Sequence, residues 1–417
     1  MAKLIIEGPC QLQGEVEIQG AKNSALPLLT ACLLCSETCT VHNCPQLSDV
    51  AICIQILKHL GCKVTRSGNT VTVDPTAVTR CEIPVHLMQK MRSSIVFLGA
   101  ILTRLGKATL SMPGGCELGP RPIDLHLSAL RNLGVCITER NGMLECTAGK
   151  DFTGGTVHLA FPSVGATENI MLAAVCAKGT TVIQNAAREP EIWDLAEFLN
   201  RCGARVSGAG ESTLVIEGVA ELHGCEHTVI PDRIAATTFM AGAAVTGSTL
   251  TLKNTIPQHL EPVFPAFEQT GCALRALGST LTITAPKRLK PLKLVRTMPY
   301  PGFPTDAQAP VMTMAALADG TSMFVETIFE SRYKHVSELT RMGADIRLDG
   351  RIAVVEGVER LWGARVHARE LRGAAALVVA GLAAHGTTTV SGLRYLDRGY
   401  AYMEKTLQKL GAKVTRK

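Results

Sequence analysis

The chain has 417 residues, 46% of them hydrophobic and only 4% aromatic, with 42 basic against 36 acidic side chains. That length exceeds one ordinary core and predicts two domains of roughly 200 residues, filled by small aliphatic side chains. Moderate charge with dispersed Pro and Gly excludes a disordered chain, and a formal charge of +6 without basic runs interleaved with aromatics excludes a nucleic-acid binder while suiting small anionic ligands.

The start, Met1-Ala2-Lys3-Leu4-Ile5-Ile6-Glu7-Gly8, lacks the long apolar stretch and cleavage site of a signal peptide. Lys22-Asn23-Ser24 follows an early strand and a Gly20-Ala21 turn. Lys22 could hold an anion beside the free N–H groups of a helix start, although an ordinary helix start reads the same way. The most apolar run, Ala25 to Cys35, is broken by Pro27 and Thr30 and is too short to span a bilayer, so a cytoplasmic chain with no membrane contact is expected. Its 15 cysteines, all between Cys10 and Cys272, are then expected as thiols. Cys32, Cys35, Cys39 and Cys44, with His42 nearby, look at first like a metal cluster. A zinc site would usually add a second close pair or His, for which His42 is the only nearby candidate, and Cys in an apolar helical stretch acts as a small hydrophobe. No metal is expected.

Further along, Met91-Arg92-Ser93-Ser94 opens an apolar helix, and Asp397-Arg398-Gly399-Tyr400 opens the last one. An Arg in a first turn opposes the helix dipole, which fits a bound anion and also a solvated Arg. Pro113-Gly114-Gly115-Cys116-Glu117-Leu118-Gly119-Pro120-Arg121-Pro122 packs three Gly and three Pro into ten residues and reads as a long loop. Gly114 and Gly119 have the spacing of a phosphate loop, but Pro120 stands where that motif needs Lys. Cys116, close to Arg121, is either a reactive thiol or a plain loop cysteine. In Pro304-Thr305-Asp306-Ala307-Gln308 the carboxylate sits just before a helix, where capping is the commoner use.

A rhythm runs through the whole chain. Gly61, Gly134, Gly203, Gly271, Gly343 and Gly411 each follow an amphipathic segment and precede a β-branched one, at intervals of 68 to 73 residues. A second marker keeps phase with the first: Gly106, Gly179, Gly247, Gly320 and Gly386 each end an Ala-rich segment before a Thr- or Val-rich one, and Ser36 to Val41 is the first copy. Gly suits the left-handed residue that closes a helix, so each copy reads as a small α/β unit, three to a domain.

These segments together resemble the bacterial enolpyruvyl transferases that use UDP-N-acetylglucosamine. The resemblance runs from Leu4 to Val414 and rests on Gly20 to Ser24, Met91 to Ser94, Pro113 to Cys116 with Arg121 to His126, Ser163 to Asn169, Asn185 to Glu191, Ile230 to Arg233, Pro304 to Asp306 and Asp397 to Tyr400. It implies a two-domain inside-out α/β barrel of six βαβαββ repeats, with buried helices and outer sheets. Residues 22–230 would form the domain carrying the Cys116 loop, and residues 1–21 with 231–417 the other. The chain would cross over near Ala21 and Ile230.

The resemblance also implies an activity: moving the enolpyruvyl group of phosphoenolpyruvate onto the 3′-hydroxyl of UDP-N-acetylglucosamine with release of phosphate, the first committed step of peptidoglycan precursor synthesis. By the same resemblance Cys116, on a loop that closes over the ligand, is the acid over C3 and the target of fosfomycin. Asp306 is the base at the sugar hydroxyl. Lys22, Arg121, Arg372 and Arg398 surround phosphoenolpyruvate, and Asn23 touches both substrates. Arg92, Arg121, Pro122, Ile123, Asp124, Leu125, Phe161, Pro162, Ser163, Val164 and Ile328 hold the nucleotide sugar. No metal or organic cofactor is implied, because fixed cations supply the charge. Glu370 stands where the family usually has Asp, and Tyr395 where His is common. The rival within this architecture is the shikimate-pathway enolpyruvyl transferase, which lacks a loop Cys of this kind. A binding paralogue without turnover would have lost Cys116, Asp306 or Lys22.

Overall fold

The computed structural model describes residues 2–114, 123–149 and 152–417. Among these, the residues up to Gln19 and those from Pro231 to Lys417 form one compact unit, and those between Gly20 and Ile230 form a second.

The described residues make five four-stranded sheets and one three-stranded sheet. They share one plan. In the sheet of Glu226–Thr228, Cys39–His42, Thr70–Asp74 and Lys63–Ser67, the first pair is parallel and the others antiparallel. The sheet of Lys107–Ser111, Met143–Ala148 and Val135–Arg140 has only an isolated parallel bridge, Glu82 to Thr109, where the others have a short strand. The strand Lys3–Gly8 pairs with Gly386–Ser391 and Lys413–Arg416, so the chain's start completes a sheet made by its end. Residues such as Thr180–Gln184 and Thr249–Lys253 alternate between inward and outward side chains, as strands with one covered face do.

The covered faces rest on helices that are apolar nearly all round, the pattern of a core helix rather than a surface one. In the unit containing the C-terminus these are Arg233–Val245, Thr305–Ala316 and Leu371–Ala383, which pack against one another. In the other unit they are Lys22–Ala31, Phe97–Leu105 and Val164–Ala174. Close packing relies on small residues. A Cβ on Gly99 would lie 2.3 Å from the carbonyl oxygen of Asn169, and the Gly99 N–H donates to Asn169 Oδ1 at 2.6 Å. Helices therefore lie inside and sheets outside, in six copies of an α/β repeat. The sheets stay separate: no strand pairing joins them into one hydrogen-bonded barrel among the described residues.

The glycine rhythm has a common geometry. Gly61, Gly134, Gly203, Gly271, Gly343 and Gly411 have φ of 117°, 89°, 96°, 90°, 97° and 92°, the left-handed region that stops a helix at low cost only for Gly. Two local expectations differ from the structure. The last helix is Met403–Lys409, not one opened by Asp397. Leu396–Arg398 form a single 3-10 turn, and Tyr402, at φ 48°, interrupts the chain before the helix. The apolar helix after Lys22 ends at Ala31; Cys32–Leu34 is a 3-10 turn and Cys35 is extended. No helix of the described residues is long and apolar enough to cross a membrane.

Candidate active site

Asp306 lies inside the first turn of its helix, whose N-cap is Pro304, so it does not cap that helix. Its carboxylate is instead held by two buried guanidinium groups. Arg372 donates from Nε and Nη2 to Oδ2 at 3.1 and 2.8 Å, and Arg332 donates from Nη2 to Oδ1 at 2.9 Å. The Arg332 and Arg372 side chains are 2% and 3% exposed, whereas that of Asp306 is 27% exposed. Such paired, fork-like contacts fix a carboxylate's plane as well as its charge. Arg372 also donates to Tyr400 Oη at 3.2 Å, and that hydroxyl shares a 2.8 Å bond with Thr238. Burial works against the Arg372 charge, but Asp306, Tyr400 and Asp232 together carry its pKa above the usual guanidinium value.

Neighbouring groups brace this arrangement. Glu370 caps the Leu371–Ala383 helix by accepting from the N–H groups of Arg372, at 2.8 Å, and Gly373. Glu370 thus keeps a cap on the helix that presents Arg372. Glu326 accepts from the Ile328 and Phe329 N–H groups at 2.9 and 3.0 Å and from Thr305 Oγ1 at 3.0 Å, tying the Ile328 turn to the start of the Asp306 helix. Arg398 is half-buried at the end of its 3-10 turn. Gln19 holds the backbone just beyond, donating to the Gly399 carbonyl and accepting from the Ala401 N–H, each at 2.9 Å. Tyr395 lies under its neighbour Arg394, with the guanidinium carbon 4.8 Å from the ring centre.

In the second unit Lys22 is the first residue of a helix without a side-chain cap, and Asn23 is half-buried beside it. Lys22 Nζ lies 3.4 Å from Asp49, itself buried in the first turn of the Ser48–Leu60 helix. The start of the Lys22–Ala31 helix is anchored by Asp194, which accepts from Ser24 Oγ, from His227 Nε2 at 2.8 Å and from the Ile230 N–H at 3.3 Å. An ammonium fixed at the positive end of a helix dipole makes a locus suited to an anionic ligand.

Three elements that carry residues expected at the nucleotide sugar meet at Asn169. Arg92 opens the 3-10 turn Arg92–Val96. Ile123 precedes the Asp124–Asn132 helix, with Leu125 in its first turn. Phe161 and Pro162 lead to Ser163, which caps the Val164–Ala174 helix by accepting from the Ala166 N–H. Asn169 joins the three, donating to the Ile95 carbonyl at 3.1 Å and bonding His126 Nδ1 at 3.0 Å. Phe161 is 41% exposed, leaving a ring available to a ligand. Cys116, Arg121 and Pro122 lie outside the described residues.

Residue chemistry without a motif escaped the sequence. Arg332 follows no recognisable pattern and meets Asp306 across 26 residues. Asp49 and Asp194 are ordinary amphipathic-helix acids until the fold turns them inward. Their signal was weak but present, an acid on the buried face of a helix.

Residues 6–407 match the family model described as EPSP synthase (3-phosphoshikimate 1-carboxyvinyltransferase). A protein of Caldanaerobacter subterraneus subsp. tengcongensis named UDP-N-acetylglucosamine 1-carboxyvinyltransferase 2 is 51% identical over 416 residues, covering 100% of each chain. One of Symbiobacterium thermophilum named UDP-N-acetylglucosamine 1-carboxyvinyltransferase 1 is 49% identical over 99% of this chain and 95% of its own. Among solved structures, the enolpyruvyl transferase NikO of Streptomyces tendae superposes with a TM-score of 0.91 at 26% identity, over 100% of this chain and 98% of that one. An EPSP synthase of Acinetobacter baumannii shares the fold, with a TM-score of 0.77 at 18% identity over 100% and 99%. By an unbroken likeness from one end to the other, the chain belongs to the carboxyvinyl transferase family that includes EPSP synthase.

Proposed function

We propose that this chain transfers the enolpyruvyl group of phosphoenolpyruvate to the 3′-hydroxyl of UDP-N-acetylglucosamine and releases phosphate, a step toward peptidoglycan precursors. The observation that carries the proposal is the 51% identity, over the full length of both chains, to a relative named for this acceptor. The protein would act in the cytoplasm on small-molecule substrates, without a metal or organic cofactor in the reaction.

The chemistry assigns a task to each side chain. C2 of phosphoenolpyruvate becomes electrophilic once C3 is protonated. The Cys116 thiol donates that proton, a thiol of ordinary pKa, about 8.5, being mostly protonated near neutrality. The sugar hydroxyl adds to C2 and passes its proton to Asp306, forming a tetrahedral ketal. Loss of a C3 proton and of phosphate then gives the enolpyruvyl ether. Lys22, Arg121, Arg372 and Arg398 neutralise phosphate and carboxylate, and fixed cations stabilise developing charge without reorganising. Arg332 and Arg372 position the Asp306 carboxylate, whose partial exposure leaves it open to the acceptor. Asn23 contacts both substrates. Arg92, the residues from Arg121 to Leu125, those from Phe161 to Val164 and Ile328 hold the nucleotide sugar.

The family model's name raises shikimate 3-phosphate as a rival acceptor. Phosphate release from phosphoenolpyruvate, measured with each acceptor separately, decides between them. Release with UDP-N-acetylglucosamine alone is expected; release with shikimate 3-phosphate alone would reverse the assignment.

A further inference from the structure

The sequence leaves Cys35 and Cys39 without the second pair of ligands that a zinc site needs. The fold supplies it. The ligand sulfurs of Cys35, Cys39 and Cys202 all lie within 4.8 Å of one another. Cys225 Sγ is 3.2 Å from Cys202 Sγ, and all four are free thiols. We propose that Cys35, Cys39, Cys202 and Cys225 form a structural tetrathiolate site for zinc, remote in chemistry from the transferase reaction.

A tetrahedral zinc with Zn–S bonds of about 2.3 Å sets its sulfurs about 3.8 Å apart, so Cys35, Cys39 and Cys202 need only small side-chain shifts to close on the ion, and Cys225 joins them from its contact with Cys202. Cys32, a fifth buried sulfur nearby, donates to the Leu28 carbonyl at 3.3 Å, and Cys39 to the more distant Glu37 carbonyl at 3.9 Å. The backbone holds the two ligand stretches together: Cys35 bridges Leu222, Ser36 N–H donates to the Leu222 carbonyl at 2.8 Å, and Thr40 N–H donates to the Cys225 carbonyl at 2.9 Å. Cys35, Cys39 and Cys202 are fully buried, and Cys225 is partly exposed, which gives the ion a way in. Two cations stand by to offset the net double negative charge of the loaded site. Arg104 donates to the Cys35 carbonyl at 3.3 Å, and Arg201 adjoins Cys202 and acts on Cys225. Packing alone would be served by any small apolar side chain at these positions. Four converging sulfurs are instead the donor set of a soft-metal centre.

Loading is balanced as one divalent zinc taken up and four thiol protons released. The ion would brace the segment that follows the Lys22–Ala31 helix, far along the chain from the Lys22 end.

The test uses the full chain, produced with added zinc and purified without chelator. Elemental analysis should give about one zinc per chain, and cobalt exchanged for zinc should show thiolate-to-cobalt charge-transfer absorption. Cys39→Ser and Cys202→Ser should lose both signals, while Cys272→Ser, in the other unit, keeps them. Should a serine variant fail to fold, the wild-type zinc content and cobalt spectrum still decide. Zinc-free wild-type protein without the cobalt absorption would overturn the proposal, as would a Cys202–Cys225 disulfide found by peptide mass spectrometry.

Discussion

Asp306 offers one carboxylate oxygen to two nitrogens of Arg372 and the other to Arg332, so a partly exposed carboxylate is gripped by two buried guanidinium groups. The grip fixes where the carboxylate points, which is what a general base requires before its strength matters. Asp306→Asn keeps the shape but removes the charge and the proton acceptor. kcat for phosphate release should fall by about 10²–10⁴, with KM for the nucleotide sugar changed far less. Steady-state kinetics on the two proteins checks this; an unchanged kcat would remove Asp306 from the proton path.

Tyr400 supports the same grip from behind. Its buried hydroxyl joins Thr238 to Arg372, so Tyr400→Phe leaves both partners short of a bond. The expected loss is about 1–3 kcal/mol of unfolding free energy, read from urea midpoints. A double-mutant cycle with Thr238→Val should show that the two losses do not add.

His335 gives the stability an acid limb. Burial first, and then the Arg332 charge, pull its pKa from 6.5 down to about 3. A depressed histidine stays neutral in the folded chain while the unfolded chain takes up a proton. Its contribution is therefore complete above pH 6.5 and is lost as pH falls toward 3. The slope is at most about 1.4 kcal/mol per pH unit in that window. His335→Leu should flatten the fall in urea midpoint between neutrality and mild acid; an equal fall in both proteins would contradict this assignment.

Much of this was legible in one dimension. The left-handed glycines marked the repeats because their steric need is local. Lys22 and Arg92 stood out because a cation near a helix start is a local oddity. Asp306 was easy to mistake for a cap, since only the fold shows Pro304 in that role and Arg332 and Arg372 closing on the carboxylate. Arg332, Asp49 and Asp194 were hidden for the same reason: each acquires its partner through pairing across the fold. The cysteines show it most sharply. Cys35 and Cys39 alone are a half-site; Cys225 reaches them through the pairing of the Cys39 and Glu226 strands, and Cys202 from the end of the Pro190–Arg201 helix.

The acid assigned to C3 is tested by Cys116→Ser, whose hydroxyl is far too weak an acid to replace a thiol. Phosphate release should drop to background or near it, and covalent labelling by fosfomycin, followed by intact mass, should disappear. Undiminished release would reassign the proton donor.

The most direct measurement is the mass of the nucleotide sugar after incubation with phosphoenolpyruvate and the wild-type protein. The account predicts UDP-N-acetylglucosamine gaining one enolpyruvyl group for each phosphate released. Phosphate released while the nucleotide sugar keeps its mass, or no reaction with it at all, would contradict the account.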